Sequence, residues 1–275
     1  MTVIAMTREM GSLGKDVALG LSVQMGLAVV HHELVEQELA DKMQMRESEV
    51  HRFLEGSASM LERWKIDENR LSSYTASEIL QIAQKDNVLI RGWGATQLLR
   101  DVPHVLRVRI CAPMPARIER MMERMGIDDE TVARREIERS DTAHTRAMRR
   151  FFDADWQDPV NYHIVLNTAD LPIEACIDQL RQLAGQPLFS ASDSSRGVIA
   201  DKIIETRICE ALDESAHVGL HSRSFDIEVK DGKVVLSGAA ATQIQIDEVE
   251  QLLGQQDGVM EVQNDILLMP HTPMV

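Results

Sequence analysis

A glycine-rich stretch after the first apolar run of the chain combines residues that can bind phosphate. It reads Glu9-Met10-Gly11-Ser12-Leu13-Gly14-Lys15-Asp16. Glycines let backbone N–H groups wrap a phosphate, and a lysine can reach its outer oxygens. Gly11, Gly14 and Lys15 fit the GxxxxGK[ST] spacing, whereas Glu9 replaces the first glycine and Asp16 replaces the hydroxyl residue. The stretch predicts a phosphate-binding loop; the alternative is a simple glycine turn into a helix.

Basic residues are concentrated between positions 107 and 150, and all of them are arginines. They are Arg107, Arg109, Arg117, Arg120, Arg124, Arg134, Arg135, Arg139, Arg146, Arg149 and Arg150. The planar guanidinium suits bidentate recognition of phosphate better than lysine does. In an acidic chain such a cluster indicates a small anionic ligand. The alternative is ion pairing with neighbouring glutamates such as Glu119, Glu123, Glu136 and Glu138.

Short apolar runs that alternate with helical patterns must position these residues. The predicted strands span 3–6, 27–30, 88–90, 105–110 and 162–166; the predicted helices span 15–25, 33–43, 75–85, 115–125, about 129–150 and the segment from 172. Residues 44–73 are assigned to helix as well. Alternating strands and helices predict an α/β fold, a parallel sheet with flanking helices. Ligands of such sheets bind at the carboxyl ends of the strands.

The last 80 residues have a different pattern. A helix is predicted over 198–212, then two strands joined by Asp231-Gly232, a helix over 242–253 and a strand over 259–269. Asp-Gly between alternating segments is a strong hairpin signal. The order αββαβ predicts a small α+β module. The Gly-, Pro- and Ser-rich stretch before it divides the chain into a domain over 1–184, a linker over 185–196 and a domain over 197–270.

Composition excludes several classes of function. The chain has 275 residues, with 29 Lys+Arg against 44 Asp+Glu, and a formal net charge of −15. Nucleic-acid binding needs clustered positive charge, so no nucleic-acid partner is expected. No uncharged apolar run approaches the ~20 residues that span a bilayer, and the N-terminus does not resemble a secretory signal. The three cysteines, Cys111, Cys176 and Cys209, are far apart, which argues against a disulfide framework or a structural zinc site. A cytoplasmic location is expected.

Several segments in order resemble the cytidylate kinase-like group of P-loop nucleoside-monophosphate kinases, over residues 1–184. Ile4 to Ser12 resembles the opening strand and Gly-Ser turn of that group, and Ile90-Arg91-Gly92-Trp93-Gly94 resembles its Gly-Arg segment. Arg139 and Arg146, seven apart and so on one helix face, are similar to its lid arginines. Trp156-Gln157-Asp158-Pro159 and the strand beginning at Tyr162 resemble its closing segment.

The resemblance implies ATP-dependent phosphoryl transfer to a nucleoside monophosphate, with CMP or dCMP favoured. The implied ATP-phosphate ligands are Gly11, Ser12, Gly14, Lys15 and Asp16. The implied monophosphate ligands are Arg8, Arg91 and Arg117. Lys15, Arg139 and Arg146 would be catalytic, because positioning and charge neutralisation dominate phosphoryl transfer. Mg²⁺ would enter with ATP, with the Asp16 carboxylate as its possible ligand, and no structural metal is expected.

Four positions differ from the family pattern. Asp16 has no hydroxyl, Glu9 places a negative charge near the phosphates, His31 stands where an aspartate is usual, and Ala143 replaces an acidic lid residue. A catalytically degenerate nucleotide-binding regulator that signals through its C-terminal domain is therefore the alternative function.

The C-terminal segment resembles the BON domain over 197–269. The resemblance rests on the hairpin from Phe225 to Gly238 and on Gly258-Val259-Met260-Glu261-Val262-Gln263-Asn264. BON domains are associated with envelope proteins and with phospholipid or ligand binding. Residues 196–275 hold 6 Lys+Arg and 14 Asp+Glu, a net charge of −8, which opposes attraction to anionic lipid. The module is therefore interpreted as a regulatory or protein-interaction unit, with self-association as one possibility and no membrane contact expected.

Overall fold

The computed structural model describes residues 2–54, 68–92, 94–215 and 222–269. The strands are β1 (Val3–Arg8), β2 (Ala28–His31), β3 (Val88–Arg91), β4 (Val105–Cys111), β5 (Ile164–Asn167), β6 (Phe225–Lys230), β7 (Lys233–Ala240) and β8 (Glu261–Leu268). The helices are α1 (Gly14–Met25), α2 (His32–Met43), α3 (Glu47–Leu54), α4 (Glu68–Gln84), α5 (Ala95–Leu98), α6 (Met114–Met125), α7 (Glu130–Phe152), α8 (Ile173–Ala184), α9 (Asp193–Glu214) and α10 (Gln243–Gly254).

Strands β1 to β5 form one parallel sheet in the order β2-β3-β1-β4-β5. The central strand β1 is almost continuously apolar and buried, as expected when both faces of a parallel sheet are covered. The main core joins this sheet to α1 and α8, through side chains such as Ile4, Leu21 and Leu180. The predicted parallel α/β fold is therefore confirmed.

Capping residues mark the ends of the helices that flank this sheet, as expected from the sequence. Gly26 and Gly126 close α1 and α6 with φ of 65° and 64°, a conformation that glycine adopts at no steric cost. The side chain of Asp129 accepts a hydrogen bond from the Thr131 N–H (2.8 Å) and caps α7. The sequence allows either Asp128 or Asp129 as the cap of this helix, since both are residue types that cap helices, and the structure has Asp129 in that role.

The contacts of the described residues divide them into two compact units. The first comprises 2–54 and 85–192, with Trp93 outside the described residues. The second comprises 68–84 together with 193–215 and 222–269. Helix α4 thus belongs to the second unit, although in sequence it stands between α3 and β3.

The second unit contains a three-stranded sheet in the order β6-β7-β8. β6 and β7 form the predicted antiparallel hairpin, in which Asp231 and Gly232 have φ of 51° and 75°. β8 is parallel to β7 and follows α10, whose Thr242–Gln245 capping box marks its start. Apolar side chains of α9, α10 and the sheet form its core. The small C-terminal α+β module is present as predicted.

The segment predicted as a linker, 185–196, carries structure of its own. A short 3-10 helix, Pro187–Phe189, buries the Phe189 ring in the core of the first unit, and α9 already begins at Asp193. Within the described ranges, no helix is both long and apolar enough to cross a bilayer.

Candidate functional site

The glycine-rich loop between β1 and α1 is a tight, closed turn. The carbonyl of Glu9 accepts hydrogen bonds from the N–H (3.2 Å) and the hydroxyl (2.8 Å) of Ser12. Gly11 and Leu13 both have positive φ, 77° and 57°. A leucine in the left-handed region is uncommon, so the loop is held there by its surroundings.

Those surroundings are side chains that bind the outside of the loop. Three consecutive carbonyl oxygens accept hydrogen bonds from beyond it: Met10 from Arg117 Nε (2.7 Å), Gly11 from Arg120 Nη1 (3.3 Å) and Ser12 from Thr168 Oγ1 (2.8 Å). Two of these donors stand on α6 and the third follows β5. The loop is therefore anchored from two elements that lie far from it in sequence.

This anchoring directs backbone N–H groups away from the anchors. In a planar trans peptide, the N–H of the next residue points opposite to the carbonyl. The N–H groups of Gly11 and Leu13 therefore face the side away from Arg117 and Thr168. Together with the N-terminus of α1, which carries Lys15, they provide donors and positive potential for an anion.

Close packing explains the two glycines that the loop shares with the phosphate-binding motif. A Cβ at Gly11 would lie 2.7 Å from the carbonyl oxygen of Arg117. A Cβ at Gly14 would lie 2.7 Å from the Cβ of Arg8. Any side chain at either position would push the loop from β1 or α6.

Glu9 forms part of the sheet edge and does not leave an isolated negative charge beside the loop. Its carboxylate accepts hydrogen bonds from Arg109 Nη2 (2.6 Å) and the Ala112 N–H (3.1 Å), and it lies 3.7 Å from Arg117 Nη1. Burial in a low-dielectric site strengthens this pairing. The sequence suggested a negative charge close to the phosphates, but the neighbouring arginines neutralise it.

Arg117, predicted to bind the monophosphate, is engaged within the protein. Its two terminal nitrogens donate to both carboxylate oxygens of Asp141 (2.9 and 2.7 Å), and its Nε holds the loop at Met10. The side chain is buried. Arg117 therefore links the loop to α7 in this structure.

Arg8, Arg91 and Arg124 form a cluster of like charges at the carboxyl edge of the sheet. β1 and β3 are adjacent, with Met6 opposite Arg91 in the register. Burial, followed by the charges of Arg91 and Arg124, lowers the pKa of Arg8 to about 10, while Asp16 opposes the shift. Within the described ranges, no carboxylate pairs with Arg8. An anion bound here would relieve the repulsion, and Arg124 was not among the predicted site residues.

The predicted lid arginines, Arg139 and Arg146, do not lie on the face of α7 that contacts the rest of the site. Ile137, Asp141 and Met148 share the buried or paired face of α7, at helical spacing. Arg139 and Arg146 are exposed and lie on the opposite face of the helix. The structure therefore brings together the loop, Arg8 and Arg91, but not Arg139 and Arg146.

His144 is a half-buried residue of α7 that sequence reasoning missed. Its ring packs edge-on against Trp156 (4.4 Å between centroids), and its Nε2 lies 3.5 Å from Thr7 Oγ1 at the end of β1. Burial, with smaller effects from Arg8 and Arg109, lowers its pKa to about 4. His144 is therefore a neutral packing residue beside the arginine cluster at neutral pH.

The glycine loop between the first strand and first helix of this parallel sheet defines a P-loop kinase-like domain. Residues 3–170 match the cytidylate kinase-like family, and the chain belongs to this family. Residues 200–270 match the BON domain. The predicted family and its order of domains are confirmed.

Several solved structures resemble about two thirds of the chain. An uncharacterized protein from Eubacterium ventriosum is 20% identical over 67% of this chain and 98% of that chain, with a TM-score of 0.54. Shikimate kinase from Bacteroides thetaiotaomicron is 10% identical over 67% and 99%, with a TM-score of 0.42. The first likeness reflects a shared fold. No curated protein shows significant sequence similarity to the chain.

One carboxylate at the loop could contact a metal ion that enters with a nucleotide. Among the described residues, no three His, Cys, Asp or Glu side chains lie together in a metal-binding group. The exposed carboxylate of Asp16, in the first turn of α1, is a hard oxygen ligand of the kind that Mg²⁺ accepts. It fits a metal ion that arrives with phosphates and keeps several waters.

Proposed function

We propose that this protein transfers a phosphoryl group from ATP to a nucleoside monophosphate, with CMP or dCMP as the favoured acceptor. The observation that carries the proposal is the anchored glycine loop, which packs against Arg8 at Gly14 and leads into the helix that carries Lys15. The kinase-like family supplies the reaction class. The acceptor is inferred from the family to which the chain belongs.

In this proposal the loop amides and Lys15 hold the ATP phosphates. Arg8 and Arg91 bind the acceptor phosphate, because they stand at the carboxyl ends of adjacent strands, where ligands of parallel sheets bind. Arg117 and Arg120 act indirectly, by holding the loop. Mg²⁺, bound with ATP and contacted by Asp16, would neutralise phosphate charge.

The direct test measures phosphoryl transfer from Mg-ATP to CMP, dCMP, UMP and AMP. The wild-type protein is compared with the variants Lys15→Ala and Arg91→Ala. Lys15→Ala should lower kcat by about 100-fold or more, because it removes a preorganised positive charge from the transferring group. Arg91→Ala should raise the acceptor KM by about 10- to 100-fold, the cost of a lost charge-assisted contact.

Two exposed positions supply matched controls. Lys230→Ala in β6 and Arg100→Ala, whose side chain is 59% exposed, remove the same groups away from the loop and should leave turnover unchanged. Equal losses in the controls and the site variants would refute the assignment. Turnover of none of the four acceptors would refute the kinase proposal.

A nucleotide-binding regulator is the second candidate, because two observations favour it. Arg139 and Arg146 face away from the loop, and Asp16 stands where a hydroxyl would bind Mg²⁺. This candidate predicts Lys15-dependent ATP binding without transfer to any acceptor. In either case we propose a cytoplasmic protein whose BON domain contacts a protein partner or a second copy of this chain.

A further inference from the structure

The three-stranded sheet of the BON domain has two edge strands, β6 and β8, that differ in their charge. β6 carries an exposed charged residue at every second position, Asp226, Glu228 and Lys230. Charged side chains of this kind protect an edge strand from pairing with another chain. β8 contains neither lysine nor proline, and among the described residues no strand pairs with its second edge. β8 is therefore the edge that is open to an additional strand.

The hairpin determines which residues of β8 present backbone groups at this open edge. After a two-residue turn, the first residue of β7 bonds to β6, so the even-numbered residues of β7 face β8. Their partners on β8 are odd-numbered, as the bond from the Met269 N–H to the Ala240 carbonyl (2.8 Å) shows. The N–H and C=O groups of the even-numbered residues of β8 therefore point away from β7. In agreement, the Ile266 N–H donates to the side-chain oxygen of Asn264 (3.2 Å).

Apolar side chains at both ends of β8 are exposed to solvent. Met260, directly before the strand, is 82% exposed, and Leu267 and Leu268 are 66% and 48% exposed. Between them, Val262 and Ile266 are only partly covered by the core of the domain. Covering such side chains stabilises an interface. β8 thus combines outward backbone groups with apolar side chains, as strands that accept a further strand do.

The sequence of β8 is complementary to itself in an antiparallel arrangement. A second copy related by a two-fold axis must place even-numbered residues opposite even-numbered ones, because only these present backbone groups at the edge. With the axis at Asn264, apolar residues face apolar residues and each carboxylate faces an uncharged side chain. The opposing pairs are Val262 with Ile266, Gln263 with Asp265, Glu261 with Leu267 and Met260 with Leu268.

The neighbouring registers are less favourable. With the axis at Asp265, this carboxylate faces its own copy, and with the axis at Gln263, Glu261 faces Asp265 of the second copy. Like charges directly opposite each other destabilise a strand pair. An axis at Ile266 pairs only the five residues 264–268 of β8, whereas the axis at Asn264 pairs the seven residues 261–267. Charge and overlap therefore both favour the axis at Asn264.

We propose that β8 is the surface through which two copies of this chain associate, as an antiparallel strand pair about a two-fold axis at Asn264. The proposal makes specific the self-contact proposed above for the BON domain and is independent of the proposed phosphoryl transfer. On association, the Ile266 N–H exchanges the Asn264 side chain for the Val262 carbonyl of the second copy. A single strand pair makes a small interface, so we expect a reversible dimer with a Kd of about 1–100 µM.

The test is sedimentation equilibrium of the full chain with opposite charges at one exposed position. Leu267→Glu places a carboxylate opposite Glu261 of the second copy, twice in each dimer, and should raise the Kd about 3- to 30-fold. Leu267→Lys places an ammonium group there and should give a Kd about tenfold or more below that of Leu267→Glu. Val23→Glu and Val23→Lys, at a position of α1 that is 84% exposed, are matched controls for net charge. The controls should change the Kd less than about twofold.

Hydrogen exchange of the full chain locates the contact without any nucleotide. Protection should rise with protein concentration in 261–268 and stay unchanged in β6. A chain that stays monomeric well above the expected Kd would overturn the proposal, and so would a dimer on which both charges at position 267 act alike. Concentration-dependent protection of β6 in place of β8 would also overturn it. Loss of phosphoryl transfer alone would refute only the proposed activity.

Discussion

The hydroxyl of Thr168 offers a precise test of how the phosphate-binding loop is held. It donates to the carbonyl of Ser12 (2.8 Å) and accepts from Arg120 Nη1 (3.1 Å), and Thr168 is only 4% exposed. Thr168→Val keeps the shape of the side chain but removes both bonds, together with a longer contact from the hydroxyl to the Cys111 carbonyl (3.4 Å). Ser12 is fully buried, so its carbonyl would lose its partner without gaining water.

The expected cost follows from that geometry. A buried acceptor left without a partner costs ~1–3 kcal/mol of the free energy of unfolding. Arg120 loses less, because its Nη2 still donates to the backbone carbonyl of residue 168 (2.8 Å). The Ser12–Leu13 peptide would also lose its orientation, so the KM for ATP should rise about five- to tenfold if the Leu13 N–H binds phosphate.

Urea unfolding, followed by tryptophan fluorescence, measures the loss in the free energy of unfolding. Steady-state kinetics or ATP titration measures the loss of ATP affinity. Thr168→Ser is the control, because it keeps the hydroxyl and should retain most of the ATP affinity. If Thr168→Val kept wild-type ATP affinity and lost less than ~0.5 kcal/mol, the loop would not depend on this anchor.

Two further predictions concern buried charge and pH. Glu9→Ala should lower the free energy of unfolding by ~3–5 kcal/mol, because Arg109 would remain buried without its counter-charge. Denaturant titration measures this loss, and an unchanged unfolding midpoint would contradict the pairing of Glu9 with Arg109. The pKa of His144 is about 4 in the folded protein and about 6.5 in the unfolded chain. As the pH drops, the unfolded state therefore binds the extra proton first. The free energy of unfolding should fall between pH 6.5 and pH 4, by up to ~3 kcal/mol. His144→Gln should flatten that part of the stability–pH curve, and an unchanged slope would exclude His144 as its source.

Local sequence signals predicted those parts of the fold that depend on local geometry. The glycine loop, the Asp231-Gly232 hairpin and the Asp129 cap each require particular backbone angles or a side-chain acceptor within a few residues. Such requirements are visible in the residue types themselves. The hairpin turn and the cap are confirmed, whereas the shape of the glycine loop depends in addition on the distant donors Arg117, Arg120 and Thr168.

The roles of the arginines could not be predicted in the same way. A guanidinium binds phosphate and carboxylate with the same fork, so nothing local to Arg117 distinguishes a substrate ligand from a partner of Asp141. For Arg139 and Arg146 a usable signal did exist. The apolar positions Ile137 and Met148 mark the buried face of α7, and the two arginines fall outside it.

The placement of α4 affects how the protein folds during its synthesis. α9, the helix against which α4 packs, begins about 110 residues after α4 ends. At the ribosomal rate of about 5–20 residues per second, α4 therefore emerges roughly 5–20 s before α9. During that interval α4, whose apolar side chains such as Leu71 and Ile79 are buried in the folded protein, lacks the helix that it packs against. The nascent chain therefore exposes an apolar segment, α4, for several seconds. Chains that terminate before residue 193 should be substrates for chaperones and proteases.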